Sequence, residues 1–161
     1  MQVGMIGLGR MGGNMVERLI RDGHRVVAYD RDTPALARVQ PLGATAASSM
    51  ESVVSEMSGP RIIWVMVPAG DATESTITAL AKVMDPGDLI IDGGNSNFRD
   101  GMRRGKELAE RKLGFIDAGT SGGVWGLDNG YCLMVGGTEE SVALARPRVG
   151  GTSILMKPSA P

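Results

Sequence analysis

The sequence predicts an α/β fold: a doubly wound, mostly parallel sheet with helices on both faces. Three observations point there. The first thirty residues run strand, glycine turn, amphipathic helix, strand, acid. Apolar runs and helix-length amphipathic segments then alternate as far as Asp117. Residues 62–67 are an unbroken apolar run, the composition of a central parallel strand buried on both faces.

Each element has a local reason. Val3-Gly4-Met5-Ile6 forms the first strand and ends at Gly7-Leu8-Gly9-Arg10-Met11-Gly12. In the following helix Met11, Met15, Val16, Leu19 and Ile20 share one face, and Arg10, Asn14, Glu17, Arg18 and Arg21 the other. Asp22-Gly23 stops it, glycine being favoured just past a helix end. Residues 25–29 make a second strand, which ends on Asp30. Thr33-Pro34 supplies a cap and a first-turn proline for a short helix to about residue 39, broken by Pro41-Leu42-Gly43. Residues 44–46 suit a short strand, and Ser48-Ser49 caps a helix through residue 57 with Val53, Val54 and Met57 inward. Gly59-Pro60 punctuates the chain before the central run. Asp71 caps the next helix, where Ile77, Leu80 and Val83/Met84 recur at helical spacing. Pro86-Gly87-Asp88 turns into the strand Leu89-Ile90-Ile91, Asn97 caps a polar helix to about residue 112, and Gly114-Phe115-Ile116-Asp117 is a further strand.

Composition narrows the function. A net charge of −1 gives no reason to expect nucleic acid or an anionic membrane as partner. No run of about 18 apolar residues predicts a membrane span, and no basic segment leads into an apolar stretch as in a secretion signal. A cytoplasmic chain is expected. The lone Cys132, inside Tyr131-Cys132-Leu133-Met134-Val135, reads as a buried small hydrophobe, and His24 as a solvated turn residue; no metal site is expected.

The opening unit reads as a dinucleotide cradle. Gly7 allows the tight turn out of the strand, Gly9 lets backbone approach a pyrophosphate, and Gly12 lets the helix pack on the strand. Unpaired N–H groups at the helix start, with the positive end of its dipole, hold the anion. Asp30, eighteen residues beyond Gly12, stands where an acid accepts from the adenosine ribose. In open sheets of this type ligands lie outside the carboxyl ends of the strands. That rule selects residues 7–12, Asp30-Arg31, Val67-Pro68-Ala69, Asp92-Gly93-Gly94-Asn95-Ser96 and Thr120-Ser121-Gly122-Gly123.

Three motifs carry a family resemblance. Gly7-Leu8-Gly9-Arg10-Met11-Gly12-Gly13-Asn14, Asp92-Gly93-Gly94-Asn95-Ser96 and Asp117-Ala118-Gly119-Thr120-Ser121-Gly122-Gly123-Val124-Trp125-Gly126-Leu127 resemble decarboxylating 6-phosphogluconate dehydrogenases, of the NAD-preferring bacterial type. The likeness continues through Gly130-Tyr131-Cys132-Leu133-Met134-Val135-Gly136-Gly137 and covers about residues 1–147. The β-hydroxyacid dehydrogenases, of the 3-hydroxyisobutyrate type, share the first and third motifs. They usually carry Asp-x-Ser-Thr where this chain has Asp92-Gly93-Gly94-Asn95, so the phosphogluconate branch is favoured.

The resemblance implies a Rossmann-like NAD(P)-binding domain and oxidation of 6-phosphogluconate to ribulose 5-phosphate and CO₂, a step of the pentose phosphate pathway. It implies Gly7, Leu8, Gly9, Arg10, Met11 and Gly12 on the dinucleotide, with Asp30, Arg31, Val67 and Pro68 as further cofactor contacts. It puts Asn95 on both substrate and nicotinamide, and Ser121, Gly122 and Gly123 on the sugar-acid carboxylate. NAD is the expected cofactor and NADP the possible second. A carboxylate accepting from a 2′-hydroxyl gains about 1.5–3 kcal/mol. The same charge about 4 Å from a 2′-phosphate is repelled by about 4 kcal/mol at an effective dielectric near 20.

The resemblance stops before the family's Gly-x-Gly-His-x-x-Lys-x-Val-His-Asn segment, whose lysine is the general base, and before the all-helical domain that carries most of the dimer surface. Residues 1–147 are therefore expected to be the dinucleotide domain and residues 148–161 a divergent, poorly ordered tail. Lys157 has no His-Asn partner and is not assigned as the base. Three readings stand: the cofactor half of a 6-phosphogluconate dehydrogenase, a β-hydroxyacid dehydrogenase, or a catalytically silent dinucleotide-binding module. In the last, Trp125 and Ile154-Leu155-Met156 would be candidate partner contacts.

Overall fold

The computed structural model describes residues 1–149. Alternating apolar residues build its central layer. In β1 (Gln2–Ile6), Val3 and Met5 point to one face and Ile6 to the other, and each is buried. β2 (Arg25–Tyr29) and β4 (Ile62–Val65) split in the same way, Val26 and Trp64 on one side, Val27 and Ile63 on the other. With β3 (Thr45–Ala46), β5 (Leu89–Asp92), β6 (Gly114–Ser121) and β7 (Cys132–Gly137) they make one seven-stranded sheet of order β3-β2-β1-β4-β5-β6-β7. All neighbours pair in parallel except β6 and β7.

Helices cover both faces. On one lies α1 (Arg10–Arg21), whose Met15, Val16 and Leu19 are buried, each such side chain worth about 1.5–3 kcal/mol when fully withdrawn from water. On it too are Ala35 and Val39 of α2 (Thr33–Val39) and Ala145 of α7 (Glu139–Val149). Against the other pack Val53 and Val54 of α3 (Met50–Ser55), Ile77 and Leu80 of α4 (Asp71–Val83), and Leu108 of α5 (Phe98–Glu110). Ser49 caps α3 through a reciprocal box with Ser52, and the Asn97 side chain accepts from the Arg99 N–H at the start of α5, as expected.

Several boundaries differ from the sequence reading. Asp32, not Thr33, precedes α2, and Asp71 is the first residue of α4 rather than its cap. β4 ends at Val65, two residues short of the apolar run, although Met66 N–H still bonds the Ile6 carbonyl. β6 runs four residues past Asp117, since the antiparallel partner β7 continues the ladder beyond β5, from Ala118 opposite Val135 to Ser121 opposite Cys132. Cys132 is exposed, not buried: β7 is an edge strand on which Leu133 points inward and Cys132 and Met134 point out. α7 runs through Pro147 to Val149, two residues past the expected domain boundary at residue 147. The remaining expected tail, with Lys157 and Ile154-Leu155-Met156, lies outside the described residues.

Candidate functional site

The strand order reverses between β1 and β4, and there the first and third selected loops meet. The ladder runs on past the strands, Met66 N–H donating to the Ile6 carbonyl at 2.7 Å. Gly7 follows with φ +94°, a backbone that disfavours any side chain, and a Cβ there would stand 2.4 Å from the Met66 carbonyl oxygen and 3.0 Å from Val67 Cγ1. Gly12 is as constrained: its Cβ would lie 2.0 Å from the Gly7 carbonyl oxygen. Gly9 is the opposite case, because a Cβ there would meet no protein atom within 4 Å. Two glycines are therefore demanded by the fold and the middle one only by whatever occupies the space above it. α1 starts beside that space, and its first intrahelical bond runs from Gly13 N–H to the Gly9 carbonyl at 2.9 Å. The earlier N–H groups of Arg10, Met11 and Gly12 have no carbonyl one turn back to pair with. An open cradle of backbone donors at a positive helix end fits a dinucleotide pyrophosphate.

Asp30 stands at the cradle, in a role the sequence reading had not anticipated. Its Oδ2 accepts from Leu8 N–H at 2.5 Å and its Oδ1 from Asp32 N–H at 2.8 Å. The Leu8 carbonyl accepts from Arg38 Nη2 at 3.0 Å, so both ends of that residue are held by charged side chains. Asp30 thus shapes the glycine loop as well as offering its remaining lone pairs. Arg10, Arg31 and Pro68 are exposed at the rim, while Met11 and Val67 are half-buried.

The fourth and fifth loops are joined by Asn95. It adopts a left-handed backbone (φ +56°), which asparagine tolerates better than most residues. Its Oδ1 accepts from Thr120 N–H at 2.8 Å and its Nδ2 donates to the Thr120 carbonyl at 3.3 Å. Asn95 is thereby set beside Ser121, Gly122 and Gly123, which are exposed at the end of β6. Gly94 closes on the central loop: a Cβ would lie 2.6 Å from the Val67 carbonyl oxygen and 3.3 Å from Thr73 Oγ1.

Beneath Asn95 lies a buried ionic support that the sequence reading passed over. Asp92 is fully buried, its Oδ1 accepting from Gly94 N–H at 3.0 Å and its Oδ2 from Arg104 Nη1 at 3.0 Å. Arg104, also buried, donates through Nε to Glu74 at 2.9 Å, and Glu74 takes a second guanidinium from Arg103 at 2.6 Å. The hydrogen bond from Arg103 is the main reason the Glu74 carboxyl sits below its ordinary range. Asp117 is the register partner of Asp92 on the next strand. Burial raises its carboxyl, the Asp92 charge pushes the same way, and Arg104 opposes them. Arg104 shares one buried stripe on α5 with Gly101 and Leu108.

Switch-point glycines, an acid after the second strand and polar loops at the carboxyl edge define a dinucleotide-binding domain. The comparisons give the family. A model of the NAD-binding domain of 6-phosphogluconate dehydrogenase matches residues 2–153, and the chain belongs to that family. It is 42% identical over 139 residues to the NAD⁺-dependent, decarboxylating 6-phosphogluconate dehydrogenase of Haloferax volcanii, covering 86% of this chain and 46% of the relative. To the putative 6-phosphogluconate dehydrogenase YqeC of Bacillus subtilis it is 36% identical over 154 residues, 96% of this chain and 52% of that protein. The chain thus spans about half the length of these relatives. Among solved structures, 3-hydroxyisobutyrate dehydrogenase from Mycobacterium tuberculosis superposes with a TM-score of 0.88 at 26% identity, over 99% of this chain and 55% of that one. The Plasmodium falciparum 6-phosphogluconate dehydrogenase shares the fold at a TM-score of 0.89 and 24% identity, over 100% and 37%. Among the described residues no helix is long and apolar enough to cross a membrane.

Proposed function

We propose that this chain forms the coenzyme half of a decarboxylating 6-phosphogluconate dehydrogenase, with NAD preferred over NADP. The observation that carries the reading is the contrast among the three loop glycines: open space above Gly9, none at Gly7 or Gly12. The N–H groups of residues 10–12 hold the pyrophosphate, Asp30 accepts from the ribose, and Val67 and Pro68 flank the coenzyme, with Arg31 at the adenosine rim. When bound, the nicotinamide supplies the hydride acceptor. Asn95 lies between nicotinamide and sugar acid, tied to Thr120 at 2.8 Å so that its amide keeps one orientation. Ser121, Gly122 and Gly123 offer a hydroxyl and backbone N–H groups, which hold a carboxylate without protonating it.

Gly94 supports the phosphogluconate reading over the β-hydroxyacid one. The serine of an Asp-x-Ser-Thr motif would bring its Cβ to 2.6 Å from the Val67 carbonyl in this backbone. The likeness to the mycobacterial 3-hydroxyisobutyrate dehydrogenase keeps the second reading in play. No residue of this chain is assigned as the general base, a group typically worth about 10²–10⁴-fold. The 161-residue chain by itself is therefore expected to bind coenzyme with little or no turnover. Thermal-shift titrations with 6-phosphogluconate and with 3-hydroxyisobutyrate, each with NAD present, test the assignment. Stabilisation by the first alone is expected; stabilisation by the second alone would reverse it.

A further inference from the structure

We infer that Arg18 is a positioning residue which latches the loop after β6 to the coenzyme helix α1. The inference rests on the reading of residues 121–123 as the carboxylate end of the substrate site. The sequence pattern puts Arg18 on the polar face of α1, yet it is half-buried and its Nη1 donates to the Leu127 carbonyl at 2.8 Å, 109 residues away.

Leu127 belongs to α6 (Gly126–Asn129), a single turn closed by a bond from Gly130 N–H to the Gly126 carbonyl at 3.0 Å. The last carbonyls of any helix lack intrahelical donors, and a basic side chain near the end both bonds them and opposes their partial negative charge. Here that side chain comes from another element. Glycines at four-residue spacing wrap the loop around the buried Tyr131 ring. A Cβ at Gly122 would lie 3.0 Å from its Cδ1, and one at Gly126 2.1 Å from its Cε1. A Cβ at Gly130 would lie 3.5 Å from Arg18 Nη2. Tyr131 thus fills the loop and Arg18 closes it. The Arg18 Nη1 bond to Leu127 is a directional tie across this seam, where Asn14 of α1 also faces the Tyr131 hydroxyl.

The consequence is geometric. The coenzyme anion sits at the N-terminal end of α1, and the substrate loop hangs from the same helix about two turns further on. Arg18 sets the separation between them.

The test compares Arg18→Met and Arg18→Lys with the wild-type chain by amide hydrogen exchange and by ligand titration. In Arg18→Met, exchange across residues 122–130 is expected to quicken about tenfold or more while β4 and β5 keep their protection. Affinity for 6-phosphogluconate is expected to fall about tenfold, with NAD affinity within about threefold of wild type. Arg18→Lys keeps a charged donor group without the guanidinium fork and is expected to recover part of the loop protection. Loop exchange unchanged in Arg18→Met, equal behaviour of the two variants, or joint loss of NAD binding and core protection would each overturn the latch. If the wild type binds no 6-phosphogluconate but the loop responds as stated, the latch stands and the substrate reading falls.

Discussion

Replacing two neighbouring loop glycines separates what the fold needs from what the coenzyme needs. Gly9 precedes α1 with φ −55° and ψ −174°, a backbone open to any L residue, and no protein atom lies within 4 Å of a built Cβ. Gly9→Ala therefore gains a few tenths to about 1 kcal/mol by restricting the unfolded chain. It loses a similar amount because alanine is a poor N-cap. Its melting temperature should stay within about 3 °C of wild type, at roughly 2–4 °C per kcal/mol for a chain of this size. The methyl projects into the space assigned to the pyrophosphate, where one charge-assisted hydrogen bond is worth about 1.5–3 kcal/mol. NAD affinity should fall about 10- to 150-fold. At Gly12 the Cβ meets a backbone carbonyl at 2.0 Å, and overpacking of this kind costs about 1–3 kcal/mol or more. Gly12→Ala should lower the melting temperature by several degrees even without ligand. Calorimetric NAD titration paired with thermal melts reads both. A stable Gly9→Ala protein that binds NAD as tightly as wild type would refute the reasoning.

Two further outcomes follow from the charges around the site. Asp30→Asn leaves one oxygen to face the two N–H donors of Leu8 and Asp32, so it should cost about 1–3 kcal/mol of stability and cut the NAD-over-NADP preference about tenfold or more. An unchanged preference in paired titrations would remove Asp30 from the ribose site. The Asp117 carboxyl is raised in the folded chain, chiefly by burial, so the folded state holds that proton more tightly than the unfolded one. Its favourable contribution is complete below the unfolded value and is lost as pH rises through the folded one. Asp117→Asn should therefore gain stability relative to wild type at neutral pH and lose that advantage in acid, as followed by urea unfolding across pH; a difference independent of pH would contradict this.

Most of the sheet was legible because its strands are written in apolar runs and its loops in glycine and proline. The tight packing at Gly7 and Gly12 follows from the glycine spacing after the first strand, whereas the open space at Gly9 is visible only in the folded loop. What escaped was tertiary. Cys132 looked buried because an apolar run does not say which of its faces meets water on an edge strand. The extension of β6 depended on a β7 partner that no local pattern announced. Arg18 and Arg104 looked like solvated faces of polar helices, yet one reaches a carbonyl on the loop after β6 and the other a buried acid. Asp30 was placed correctly after the second strand, but its bonds to Leu8 and Asp32 require the folded loop.

The central claim is that residues 7–12 and Asp30 hold an adenine dinucleotide. Isothermal titration of the folded 161-residue chain with NAD and with NADP tests it most directly. One site per chain is expected, with NAD bound more tightly than NADP. No heat from either coenzyme at millimolar concentration, with a cooperative melt proving the protein folded, would contradict the account.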